Sequence, residues 1–111
     1  LLYRLVFNLV ENAIRYSRTG STVNVSICDN DSHVFLRVED QGPGIPKQYR
    51  ESIFQPFFRL DTSRSRAYGG AGLGLALVWE IAALHGGTVE VETSSENGTV
   101  MLVTLSKGAT T

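Results

Sequence analysis

The sequence predicts an α/β fold in two layers: a mixed, mainly antiparallel sheet with helices on one face. Two observations lead there. Apolar residues recur at helical spacing near the start of the chain and again from Leu73 to His85. Four segments alternate apolar with polar residues, as strands do when they bury only one side. Such strands and amphipathic helices cover each other's apolar faces in a two-layer sandwich.

The first helix is predicted from Leu1 to about Ser17, where Arg18-Thr19-Gly20-Ser21 stops it. Leu2, Leu5, Val6, Leu9 and Ala13 cover one face. At about 100° per residue, Asn8, Glu11, Asn12 and Arg15 fall on a narrow opposite stripe, with Tyr16 at its edge. Asparagine costs roughly 0.5 kcal/mol or more relative to alanine inside a helix, and here it is used twice. The carboxamides therefore point to a task other than helix stability. A hard cation such as Mg²⁺ suits them, since it takes oxygen ligands, keeps several waters and is shared with substrate phosphates. A polar stripe meeting water is the plainer alternative.

The first strand, Val23 to Cys28, sets Val23, Val25 and Ile27 against Thr22, Asn24 and Ser26. Asp29-Asn30-Asp31-Ser32 supplies a polar hairpin turn into the second strand, Val34 to Asp40. There Val34, Leu36 and Val38 share one face. Asp40 has the same parity, so the strand ends in a carboxylate aimed at the buried side. Gly42 and Gly44 follow, allowing a sharp turn and close approach to a ligand. An ionised carboxylate only accepts hydrogen bonds, which suits an exocyclic amine such as that of adenine. Taken alone, Asp-x-Gly is also a common strand-to-loop turn.

A short helix is predicted from Lys47 to Ser52 after Pro46. In the aromatic segment that follows, Phe54 is the expected core member, and Phe57 and Phe58 read as core or lid packing. The irregular stretch from about Leu60 to Tyr68, with Arg59, Arg64 and Arg66 in and beside it, reads as a loop that orders when phosphates partner its guanidiniums. Gly69-Gly70-Ala71-Gly72-Leu73-Gly74-Leu75 then leads into the second helix, patterned by Leu73, Leu77, Ile81 and Leu84. Bare N–H groups at a glycine-led helix start form a generic phosphate cradle. No Gly-Lys-Ser/Thr closes it as in a P-loop, and no strand runs directly into it as in a dinucleotide fold. The last two strands are placed at about Thr88 to Thr93 and Val100 to Leu105.

Together these segments resemble the catalytic ATP-binding domain of the sensor histidine kinases, of the Bergerat ATPase fold. Asn8 to Ser17 is similar to the N box of that family, Asp40 to Ile45 to its G1 box and Ile53 to Arg59 to its F box. Gly70 to Ala76 resembles the G2 box, and Asn97-Gly98-Thr99 the last glycine motif. The five stand in the family's order across nearly the whole chain.

The resemblance implies a role for each matching residue. Asn12 would coordinate Mg²⁺ bridging the phosphates, with Asn8 beside it and Arg15 as a phosphate donor. Tyr16 would cover the nucleotide ring. Asp40 would accept from the adenine amino group, Gly42 and Gly44 would give room, and Ile45 would pack on the base. Arg59, Ala71, Leu73 and Leu75 would belong to the ATP-binding set, and Gly70, Gly72 and Gly74 would form the hinge and N–H cradle at the phosphate end. Thr99 would add a hydroxyl near the adenine. Glu11 is the candidate catalytic group, as general base or polariser for an attacking imidazole or as the group that orients it. The implied activity is transfer of the γ-phosphoryl group of MgATP to a histidine on a dimerisation domain of a homodimeric protein. A response-regulator aspartate is the later acceptor. The alternative is a nucleotide-binding or partner-docking module of the same fold without turnover. Related ATPases of the Hsp90, MutL and gyrase B group and the anti-sigma serine kinases share the fold, but Phe57-Phe58-Arg59 and Gly72-Leu73-Gly74-Leu75 favour the histidine kinases. Ala71 departs from the Ser or Thr common at its position, and Val100-Met101 stands where an aromatic is commoner.

Composition agrees with one domain over residues 1–111. With 42% hydrophobic and 19% charged residues, the chain has the means to build a core and is not predicted to be disordered. A formal net charge of −1 argues against a protein held by nucleic-acid phosphates. Cys28 is the only cysteine, which excludes an internal disulfide or thiolate cluster and fits a reducing compartment. No apolar run approaches the ~20 residues of a membrane helix. The helical pattern is already running at Leu1 without an initiator methionine, so the chain is expected to be a piece of a longer protein. The resemblance implies an upstream phosphoacceptor hairpin and a sensor that ties a cytoplasmic domain to the inner membrane. His33 and His85 lie away from the family's phosphoacceptor position and are expected to be structural or surface residues.

Overall fold

The computed structural model describes residues 1–58 and 73–108. Four strands form one sheet in the order β1-β2-β4-β3: β1 Asn24–Asp29, β2 His33–Asp40, β3 Thr88–Ser95 and β4 Gly98–Ser106. All three pairings are antiparallel, so among the described residues the sheet has no parallel member, where a mixed sheet was expected. The reason is connectivity. β1–β2 and β3–β4 are hairpins, and the two hairpins meet through their second strands.

α1 (Leu2–Tyr16) and α2 (Gly74–Leu84) pack against each other on one face of the sheet, α1 over β2 and α2 over β3 and β4. Leu5, Leu9 and Ala13 are the buried residues of α1, four apart as a single helical stripe requires. In α2 the buried residues are Val78, Ile81 and Ala82, with Leu75 and Leu77 packed at the margin. Leu73 and Leu84, expected on the apolar face, are exposed. They flank the helix end to end while its contacts lie at the middle.

The sheet supplies Leu36, Val38, Val89, Met101 and Val103 to the core. Register explains the set, because Leu36 faces Val103 and Val38 faces Met101 across β2 and β4. Ile27 and Val25 continue the same rows onto β1, opposite Leu36 and Val38. Every residue of β1 is nonetheless exposed, Ile27 to 69%, because β1 is an edge strand and neither α1 nor α2 among the described residues packs over it. The alternation read from the sequence is present, but the cover is not. On the other face Arg37 and Glu92 form a two-pronged ion pair at 2.8 and 3.0 Å across the sheet.

The segment after β2 makes two short 3₁₀ turns, Lys47–Tyr49 and Ser52–Phe54, in place of one helix. Ile53 and Phe54 enter the core, and the Phe54 ring meets Trp79 at 5.4 Å between centroids. Phe58 packs on Tyr49, while Phe57 is exposed and holds a positive φ of 66°.

Candidate nucleotide site

Asp40 sits at the end of β2, directly opposite Thr99 of β4, and both are buried. Its carboxylate accepts the Gly42 N–H at 2.9 Å and the backbone N–H of Thr99. Burial pushes the Asp40 pKa up. The two N–H donors oppose that shift, and the neighbouring charge of Glu39 adds to it. A buried carboxylate fixed by two backbone donors keeps lone pairs for a further donor, which is the chemistry an exocyclic amine needs.

The loop after Asp40 fits only with glycine at two positions. A β-carbon on Gly42 would overlap the Tyr16 carbonyl oxygen at the end of α1. Gly44 has φ +87°, in the left-handed region, and a β-carbon there would overlap the Ser95 carbonyl. Ile45 donates its N–H to the Ser94 hydroxyl at 2.8 Å, and the Ser94 oxygen lies 2.7 Å from the Thr99 hydroxyl. Asp40, Gly42, Gly44, Ile45, Thr99 and the Tyr16 end of α1 thus form one cluster where α1, β2 and the β3–β4 hairpin meet.

The other end of the α1 polar stripe meets the start of α2. Asn8 donates its amide to the Arg4 carbonyl at 2.7 Å. Its carboxamide oxygen lies 3.4 Å from where a Gly74 β-carbon would stand. Among the described residues no side chain caps the N-terminus of α2, whose N-cap residue is Leu73, and Leu75 of its first turn packs against the core. Between the two ends Glu11, Asn12 and Arg15 are half-buried on α1. From Asn8 to Tyr16 the helix rises about 12 Å, so the stripe runs alongside a path from the Asp40 cluster to the helix start. Arg15 also borders a hollow lined by Ile14, Arg18 and Val23. Arg59, Gly70, Ala71 and Gly72, with the loop at 60–69, lie outside the described residues.

Among the described residues no group of three or more His, Cys, Asp or Glu could hold a metal ion. The oxygen donors on the described part of the stripe are the carboxamides of Asn8 and Asn12 and the carboxylate of Glu11, a set of the hard-ligand type that suits a cation sharing its coordination with phosphates.

Three residues at the cluster were not among the site residues expected from the sequence. Arg18 reaches from the end of α1 to the carbonyls of Gln41, Gly42 and Glu96. Arg50 bonds the carbonyls of Ile45 and Ser94. Ser17 accepts the Gln41 N–H at 3.1 Å. These partners lie 5 to 78 residues away in sequence, beyond any local pattern.

Residues 1–109 match the family described as histidine kinase-, DNA gyrase B-, and HSP90-like ATPase. The sensor protein RstB of Escherichia coli K12 is 50% identical over 98 residues, which are 88% of this chain and 22% of RstB. The mycobacterial sensor histidine kinase MprB superposes with a TM-score of 0.81 at 36% identity, covering 95% of this chain and 69% of the MprB chain. Full-length ShkA, solved in complex with AMPPNP, superposes with a TM-score of 0.79 at 28% identity, over 94% of this chain and 21% of ShkA. The chain thus spans under a quarter of RstB. A sheet of this order with its helices on one face, the buried Asp40 between two backbone donors and the match from end to end carry one conclusion: the chain belongs to the histidine kinase-, DNA gyrase B- and HSP90-like ATPase family, among the catalytic domains of sensor histidine kinases.

Proposed function

We propose that the chain binds MgATP and, within a longer protein, transfers its γ-phosphoryl group to a histidine on that protein's dimerisation domain. The observation that carries this reading is Asp40, buried, held by Gly42 and Thr99, and left with acceptor capacity at the mouth of a glycine-shaped loop. Asp40 accepts from the adenine amino group, with Ile45 and Tyr16 beside the base. The phosphates lie along the stripe toward the start of α2, whose N–H groups and dipole favour anions. Asn12 would hold Mg²⁺ together with the phosphates, and the ion would supply neutralisation of the developing charge there. Asn8 lines the phosphate end, and Arg15 donates to the phosphates. Arg59 and the glycines before Leu73, outside the described residues, belong to the same proposed ATP-binding set.

In the transfer step an imidazole nitrogen attacks the γ-phosphorus. The bond to the β,γ-bridging oxygen breaks as the N–P bond forms, and its electron pair leaves on ADP. Glu11, on the same stripe, takes the imidazole proton or holds the ring in line. Most of the catalysis is positioning and charge neutralisation. The phosphorylated histidine then supplies a response-regulator aspartate. Membrane attachment, where it exists, belongs to other segments of the longer protein, which is a homodimer with this domain on the cytoplasmic side.

The test is phosphotransfer in trans to the protein's own histidine-bearing hairpin with γ-labelled ATP and Mg²⁺. Acid-labile label on the hairpin, lost with Glu11→Gln and Asn12→Ala, is the expected result. Nucleotide binding without any transfer would leave a binding module and overturn the kinase reading.

A further inference from the structure

We infer that Arg18 is a positioning residue for base recognition, acting through Asp40 without touching the nucleotide. This rests on the proposed reading of Asp40 as the adenine acceptor. Arg18 directly follows Ser17, the residue that ends α1 in an extended conformation. One guanidinium nitrogen donates to the carbonyls of Gln41 at 2.8 Å and Gly42 at 3.4 Å. The other donates to the Glu96 carbonyl at 2.8 Å, and the Arg18 backbone N–H donates to Gln41 as well. A single planar fork therefore joins the exit of α1, the loop after β2 and the β3–β4 turn.

Those are the segments that deliver the two donors to Asp40. The Gly42 N–H belongs to the loop whose carbonyls Arg18 holds. The Thr99 N–H lies three residues beyond Glu96, across the turn. Ser17 and Gln41 tie the same junction a second time, through the Gln41 N–H and through the Gln41 side chain, which accepts the Thr22 N–H. Asp40 is buried at a cost, so the direction of its free lone pairs is set by where its two donors stand. The fork fixes that direction. Lysine cannot replace it, because one ammonium is a point donor and the two groups of carbonyls need the divergent nitrogens of a guanidinium.

The chemical consequence concerns the base and not the phosphates. ATP presents an amino group to Asp40. Inosine triphosphate has the same ribose and phosphates but a carbonyl at that position, which the carboxylate cannot receive. Loss of Arg18 is thus expected to weaken ATP binding and leave inosine triphosphate nearly unchanged, which general loosening of the fold does not do.

The experiment measures Kd for MgATP and for Mg-inosine triphosphate with the 111-residue chain, as wild type, Arg18→Ala and Arg18→Lys. Circular dichroism and melting confirm that each is folded. The wild type is expected to prefer ATP. Arg18→Ala should raise the ATP Kd by about tenfold and shrink the preference by the same factor, a change equal to about 1.4 kcal/mol. Arg18→Lys should fail to restore the preference and serves as the test if the alanine variant does not fold. An unchanged preference in the folded variants overturns the role of Arg18 and leaves the Asp40 reading standing. A wild type without preference for ATP overturns both.

Discussion

At Asp40 function and stability pull in opposite directions. Burial raises its pKa above that of an ordinary carboxylate, so the folded state binds the proton more tightly than the unfolded chain. Its contribution to stability is full below the unfolded carboxylate range and is lost as pH rises through the raised folded value. At neutral pH the ionised group is therefore a burden on the fold. Asp40→Asn keeps the acceptor for Gly42 and Thr99 and removes the charge, so at pH 7 it should melt at or above the wild-type temperature. The same variant should bind ATP about 10- to 100-fold more weakly, the effect of setting a misplaced donor against the adenine amine. Wild-type ATP affinity should also fall on acidification at a higher pH than an ordinary carboxylate would give. Parallel melts and titrations from pH 4 to 8 check both signs. That Asp40 faces inward was legible from its parity with Leu36 and Val38. The guanidinium of Arg18 was not, since its partners at 41, 42 and 96 are joined only by the tertiary fold.

Among the elements, α1 joins core to site, so its two faces should respond differently to substitution. Leu9 is buried against the sheet and α2, and Leu9→Ala should cost about 2–5 kcal/mol in urea unfolding. Asn12→Ala should leave stability unchanged or slightly raised, because alanine is the better helix former, while removing the Mg²⁺ dependence of binding. In the loop, Gly44→Ala should cost about 1–3 kcal/mol from the left-handed backbone alone, with the Ser95 carbonyl adding to it. β1 behaves otherwise. Ile27→Thr in this chain should shift stability by no more than about 0.5 kcal/mol, since the side chain is exposed. The periodicity of β1 was readable, as were the extents of α1 and α2 to within a residue or so. Its exposure was not, because alternation reports which side chains share a face and not whether another layer lies above it. The same holds for α2, where Leu73 and Leu84 fit the helical pattern yet overhang its contacts.

For the molecule as a whole, the two hairpins and two helices of the described residues bring residues 16 to 18, 40 to 45 and 94 to 99 together, with the α1 stripe running from there to the start of α2. The order of motifs along the chain was enough to anticipate this meeting, because each motif closes or opens a regular element. Ligand binding to such a junction stabilises every segment it joins. MgATP at about 100 times its Kd should add about 2.7 kcal/mol, a rise in melting temperature of about 10 °C or more for a domain of this size. Isothermal titration of ATP into the chain, with and without Mg²⁺, for the wild type and Asp40→Asn, tests the account most directly. Mg²⁺-strengthened binding that collapses in a variant of undiminished melting temperature is the predicted result. A folded wild type that takes up no ATP, or an Asp40→Asn variant that binds it equally well, would contradict the account.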